Sequence, residues 1–165
     1  MDLRAYTRQY AKQDNRLAAL SYFGTFAVYF ASLYLAIAHV NLWVVLIPAG
    51  VVHAFSAVRL YVLQHDCGHH SLFETRAQNE WAGHGLSPFT FAPFEVMKQN
   101  HNLHHSGIGN LEHRETGEIH TMTLREWNAA GFWRRLQYRL YRNPFILVPL
   151  GALYTYFIRY RWPKN

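Results

Sequence analysis

Between Arg16 and Arg59 the chain carries no Asp, Glu, Lys or Arg, a gap of 42 residues in a protein of 165. A gap that long reads as membrane spans rather than as the core of a soluble domain. Residues 17–38 make a first uncharged run. As a helix it reaches about 33 Å, enough for a hydrocarbon core of about 30 Å. Residues 41–58 make a second run, interrupted only by Pro48 and His53. The connection around His39 and Asn41 is very short, so the two runs predict a tight helical hairpin. The other reading of the first run is a cleaved signal peptide, with basic residues ahead of it and a small-x-small site at Ala36 and Ala38. Against that stand a run longer than the usual apolar region of about 15 residues and a second span that follows at once.

The charge pattern sets the orientation. The chain has 16 Lys and Arg against 10 Asp and Glu, a net charge of +6. That balance suits nucleic acid, anionic lipid or an acidic protein. Four basic residues precede the apolar stretch, nine lie from Arg59 to Arg142, and Arg159, Arg161 and Lys164 follow. This is the pattern of cytoplasmic loops flanking membrane helices, with both ends of the hairpin in the cytoplasm. No nucleic-acid motif accompanies the charge, and no nucleic-acid partner is expected. The lone cysteine, Cys67, excludes an internal disulfide framework.

The expected fold is an all-α integral membrane protein: a transmembrane hairpin followed by a cytoplasmic helical region rich in histidine. Residues 1–16 form a cytoplasmic N-terminus, 17–63 the two spans, 64–143 the cytoplasmic block, and 144–165 an interfacial or re-entrant segment. Within the block, Ser71 to Glu74 fits a capping box opening a helix that ends near Gly83 and Gly85, leaving His84 in a loop. Pro93 opens a second helix, closed by Gly107 and Gly109. Thr123 to Glu126 is another capping box, opening a helix that runs to Pro144. There Phe132, Leu136 and Leu140 repeat at helical spacing, and Arg135, Arg139 and Arg142 form a basic stripe with Arg134 beside it. This suits a helix lying in the membrane interface or, alternatively, a solvated basic face. Residues 145–158 are apolar but short for a span and bracketed by arginines.

Eleven histidines are present, and two groups carry the chemistry. The first is His65-Asp66-Cys67-Gly68-His69-His70; the second is His101-Asn102-Leu103-His104-His105. On a helix, His65 and His69 share a face, as do His101 and His105, with His104 joining at i+3. Each group is a preformed imidazole site suited to zinc, copper, iron or nickel. The alternative is that these are helix-surface or hydrogen-bonded core histidines. If the second span ends near Arg59, His65 lies about 9 Å beyond the boundary, with lipid below and a docking face above. Asp66 is placed to orient a ligand from behind, or is a surface acid. Cys67 reads as a small buried apolar residue, and His53 as either a functional group or a satisfied polar group inside the span.

These motifs, with Gly109-Asn110-Leu111 and Thr121-Met122-Thr123, resemble the membrane fatty acid desaturases. Residues 138–144 look like the bacterial acyl-lipid omega-6 (delta-12) branch. The resemblance implies four membrane spans, a cytoplasmic non-haem di-iron centre held by three histidine boxes, and introduction of a cis double bond into a membrane-lipid acyl chain. It further implies dioxygen as co-substrate, ferredoxin or cytochrome b5 as electron donor, and a bacterial inner-membrane location. His65, His69, His101, His104 and His105 are then the expected iron ligands, with His70 an additional candidate and Asp66 a supporting group. Zinc has no redox chemistry and cannot oxidise an unactivated methylene, whereas iron can. The sequence departs from the family in one respect: no histidine follows His120, so five of eight box histidines are present. The expectation is a portion of a protein about twice this length, incomplete relative to the four-span fold, weak in iron binding and with little activity alone. A related di-iron hydroxylase or ketolase, and a non-catalytic remnant, are the competing readings.

Overall fold

The computed structural model describes residues 6–7, 12–107, 111, 120–158 and 161. Seven helices account for most of them: α1 (Asn15–Ala38), α2 (Trp43–Gly68), α3 (Arg76–Thr90), α4 (Phe94–Gly107), α5 (Leu124–Ala129), α6 (Phe132–Tyr141) and α7 (Pro144–Phe157). The chain divides into two compact units, Met1–Thr90 and Phe91–Asn165.

In the first unit α1 and α2 form the expected hairpin. Asp14 caps α1, its carboxylate accepting from the backbone N–H groups of Arg16 and Leu17 at 2.7 and 3.2 Å. That satisfies two of the four donors a helix start leaves open. The turn closes when Leu42 N–H donates to His39 C=O. Both helices are long and apolar enough to cross a membrane. Large side chains such as Leu20, Phe23, Ile37, Trp43 and Phe55 point away from the hairpin and are exposed. A helix of a soluble core buries such residues; here their surroundings must themselves be apolar.

The inward faces meet α3. Leu60, Leu63 and Leu86 are fully buried, with Tyr22, Phe26, Tyr29, Leu72 and Phe89 packed around them. Burying each leucine contributes about 2 kcal/mol. Tyr22, Phe26 and Tyr29 lie at i, i+4, i+7, which is why one stripe of α1 meets the core. Tyr22 Oη donates to Ala82 C=O at 3.2 Å, and a Cβ on Gly85 would sit 3.0 Å from that same oxygen. A side chain at position 85 would therefore press on the Tyr22 hydroxyl and push it aside by a few tenths of an ångström.

The boundaries of α3 correct the sequence reading. Ser71 does not cap a helix; its hydroxyl donates to Asp66 C=O at 3.0 Å. Thr75 and Gln78 make the reciprocal pair instead, with Thr75 N–H on Gln78 Oε1 at 3.1 Å and Gln78 N–H on Thr75 Oγ1 at 3.2 Å. The helix runs through Gly83 and Gly85 to Thr90, so exposed His84 lies on a helix and not in a loop. Buried packing of Gly83 and Leu86 overrides the low helical propensity of the two glycines.

In the second unit, α4 starts after Pro93, whose C=O accepts from Met97 N–H, and ends at Gly107 as expected. Gly109 lies outside the described residues. The Thr123 capping box forms with Glu126 as partner. The helix it opens breaks at Ala130 and Gly131, giving α5 and α6 rather than one helix to residue 143. Asn143 then caps α7, with Pro144 at its first position, where a missing N–H has no cost.

Candidate metal centre

The first histidine group lies on the last turns of α2, beyond the uncharged run. His65 and His69 share one face as their spacing predicts, rings 4.6 Å apart and edge to face. Their candidate ligand nitrogens lie within 4.8 Å of each other. His65 Nδ1 is 3.2 Å from Asp66 Oδ1. A carboxylate at Nδ1 selects the tautomer protonated there and leaves Nε2 as the ligating atom.

Burial holds this turn in place. Gln64 is completely buried. Its amide donates to Gly83 C=O at 3.3 Å and Ser87 Oγ at 3.2 Å, while its carbonyl accepts from Thr90 Oγ1 at 2.8 Å. The α2 backbone next to His65 is thereby clamped to α3. Cys67, also fully buried, has its thiol pushed up to about 12, first by burial and then by the Asp66 and Glu80 carboxylates. It is a buried packing group in the metal-free chain, in line with the sequence reading.

His70 stands apart from the face shared by His65 and His69. Helix α2 ends in a Schellman motif, with His70 N–H on Cys67 C=O at 2.9 Å and Ser71 N–H on Asp66 C=O at 3.0 Å. His70 takes the left-handed position at φ 53, where glycine is usual. For a non-glycine residue this conformation costs about 1–2 kcal/mol. Its ring makes a 2.8 Å contact to Glu80 Oε1, and its C=O accepts from Gln13 Nε2 at 2.6 Å. Glu80 was not singled out by sequence; its only signal was the helical spacing from Arg76 to Glu80 to His84. Asn79 was missed as well. It is fully buried and pins the approach to α3, accepting from Leu72 and Phe73 N–H and donating to Phe73 and Thr75 C=O.

The second group lies on the C-terminal half of α4. His101 and His105 rings are 4.4 Å apart, and their Nε2 atoms are 2.9 Å apart. His104 is 6.0 Å from His101, ring to ring, on the neighbouring side. Imidazole ligands about 2.1 Å from one ion, at right angles, stand about 3 Å apart, so the two Nε2 atoms are spaced to share an ion. His104 Nδ1 is buried and, among the described residues, has no hydrogen-bond partner. A buried nitrogen left so costs about 1–3 kcal/mol, and an ion is one group that removes the penalty. An imidazole donor set with converging nitrogens and one orphaned ring atom fits a first-row transition metal.

The remaining histidines take ordinary roles. His53, inside the hairpin, has Nδ1 3.2 Å from Tyr29 C=O and 3.5 Å from Ser32 Oγ, and stacks on Tyr29 at 4.4 Å. His39 caps α1 and His120 N–H donates to Tyr141 Oη. His113 lies outside the described residues.

Comparison with known proteins agrees with this chemistry. The family model described as fatty acid desaturase matches residues 41–165. A fatty acid desaturase of Bacillus subtilis (strain 168) is 31% identical over 157 residues, covering 94% of this chain and 45% of that protein. The sn-1 acyl-lipid omega-3 desaturase (ferredoxin) of Synechocystis is 29% identical over 91 residues, 55% of this chain and 24% of that one. The acyl-lipid omega-3 desaturase (cytochrome b5) of Arabidopsis thaliana is 27% identical over 115 residues, 70% of this chain and 30% of that one. The chain thus spans less than half the length of these relatives. No solved structure matches it. The family match covers the hairpin's second helix and both histidine groups, and the chain belongs to the fatty acid desaturase family.

Proposed function

We propose that the protein takes part in O2-dependent desaturation of a membrane-lipid acyl chain, with His65, His69, His101, His104 and His105 among the ligands of a di-iron centre. The reaction is –CH2–CH2– + O2 + 2 e⁻ + 2 H⁺ → –CH=CH– + 2 H2O. Iron bound at these residues supplies the oxidising power that imidazole and carboxylate groups lack. The observation that carries the reading is the 2.9 Å separation of His101 and His105 Nε2 on a chain of this family.

The chain's own groups supply the positioning. Asp66 holds the proton on His65 Nδ1 and turns Nε2 outward. The contact between His101 and His105 needs a proton on one Nε2 in the metal-free chain, and metal uptake moves that proton off the nitrogen. Gln64 and its three partners fix the backbone from which His65 projects. The exposed apolar hairpin accounts for a lipid substrate and membrane location. Basic loops on both sides of the hairpin support a cytoplasmic face for the histidines, most simply at a bacterial inner membrane. The relatives' names supply the class of donor, ferredoxin or cytochrome b5. Residues 138–144 support an omega-6 (delta-12) type.

The test is expression from its gene in a host lacking acyl-lipid desaturases, with fatty acids analysed as methyl esters. A new double bond is expected, together with two irons per active site. His101→Ala and His105→Ala should each abolish the product while the protein still inserts in the membrane. Product retained in either variant refutes the ligand assignment, and a hydroxylated acyl chain refutes desaturation.

A further inference from the structure

From Trp127 to Asn165 there are 39 residues with seven Lys and Arg and not one Asp or Glu. Where this stretch meets residues 122–124, α5 and α6 line a shallow open cavity of about 540 Å³, with Met122, Thr123, Trp127, Tyr138, Arg139 and Arg142 in its wall. Trp127 anchors the arrangement. The guanidinium carbons of Arg135 and Arg139 lie 5.4 and 5.3 Å from its ring centre. Arg135 is committed to structure, donating to the carbonyls of Trp127 and Asn128 at 2.9 Å each. Arg139 and Arg142 face the cavity instead. The nearby acid, Glu126, is occupied by its capping box, accepting from Thr123 N–H and Oγ1.

We propose that this cavity binds the phosphate of an anionic phospholipid headgroup, with Arg139 and Arg142 as the anion-recognising residues. Arg135, Tyr138, Arg139 and Arg142 occupy one face of α6 by spacing, and Phe132, Trp133, Leu136 and Leu140 the adjoining face. Phe132, Trp133 and Leu140 are exposed, as are Phe145 and Val148 on α7. An apolar stripe beside a cationic cavity places acyl chains and a phosphate at adjacent levels, as at a bilayer surface. An acidic protein partner complements the arginines but leaves these large apolar side chains without a counterpart. The proposal stands apart from the desaturase reading, because lipid binding is measured without turnover.

The detergent-purified protein is titrated with dioctanoyl phosphatidylglycerol, dioctanoyl phosphatidylcholine or inorganic phosphate, and bound ligand is counted by native mass spectrometry. Phosphatidylglycerol is expected to bind in preference to both others. Arg142→Gln should weaken it about fivefold and Arg139→Gln with Arg142→Gln about 25-fold, the effect of one and two basic groups at an anionic surface. Arg139→Lys should restore most of the loss from Arg139→Gln, and Arg134→Gln, outside this cavity, should change binding less than about twofold. Equal binding by Arg142→Gln and the unaltered protein, equal binding of phosphatidylcholine, or free phosphate binding as tightly as the lipid would each overturn the proposal. No lipid binding at all would also overturn it, and would favour a protein as the occupant.

Discussion

The two histidine groups share a spacing but differ in what holds them. His65 and His69 end a long helix whose last turns bury Leu63, Gln64 and Cys67 completely, and His65 has Asp66 at its Nδ1. His101 and His105 lie on a 14-residue helix that buries Phe94, Met97 and Asn100, and next to them His104 Nδ1 is buried with no partner among the described residues. The first group is therefore set by the protein's own hydrogen bonds. The second keeps, among the described residues, a buried ring nitrogen without a partner. Preorganisation differs between them, and so should the response to mutation.

The largest effect should come from the support of the first group. Asn79 makes four hydrogen bonds to the segment before α3 while fully buried. Asn79→Ala removes all four and strands two N–H groups and the Phe73 C=O, Thr75 C=O keeping the Asn79 backbone N–H, at a cost of about 3 kcal/mol. Thermal unfolding in detergent measures it. A loss below about 1 kcal/mol would show that the turn after α2 is held by something else.

Next is Asp66. Asp66→Asn removes the charge at His65 Nδ1 and should weaken metal binding about tenfold, the lower end for a group that orients a ligand. In the second group, exposed Asn102→Ala beside His101 should leave affinity within about twofold. Metal titration of both variants checks the contrast. Equal losses would show that the two groups are supported alike.

Much of this was legible in the sequence. The hairpin followed from the uncharged run of 42 residues and the short connection that divides it. The faces shared by His65 and His69, and by His101 and His105, followed from helical period alone. What escaped depended on tertiary context. Gly83 and Gly85 looked like a helix stop, but Gly83 is buried inside α3 and Gly85 sits close under the Tyr22 hydroxyl. Ser71 looked like a cap because Glu74 follows at the right spacing, whereas Thr75 and Gln78 make an equivalent pair and win. Glu74 instead meets Asn15, 59 residues away, which no local pattern reveals. His70 looked like one more imidazole in a row, and only the left-handed backbone separates it from its neighbours. The basic stripe of α6 was read as lying in the membrane interface or in solvent, and neither reading foresaw that Arg135 and Arg139 stack on Trp127, which precedes them across a break in the helix.

The smallest effect should also be the sharpest, because a histidine deletion should stabilise the second group and leave the first nearly unchanged. His104→Leu deletes a buried nitrogen that lacks a hydrogen bond among the described residues, replacing it with a side chain of comparable size that needs none. The metal-free protein should gain about 1 kcal/mol of stability, since an unsatisfied polar atom is removed from a desolvated site. The same substitution at exposed His69 removes no such penalty and should shift metal-free stability by less than about 0.5 kcal/mol. Both variants should hold less metal. Chelator-treated protein, unfolded thermally beside metal-loaded protein, separates the two contributions. If His104→Leu destabilises the metal-free protein, the ring nitrogen is satisfied there, and the second histidine group is as fully supported by the fold as the first.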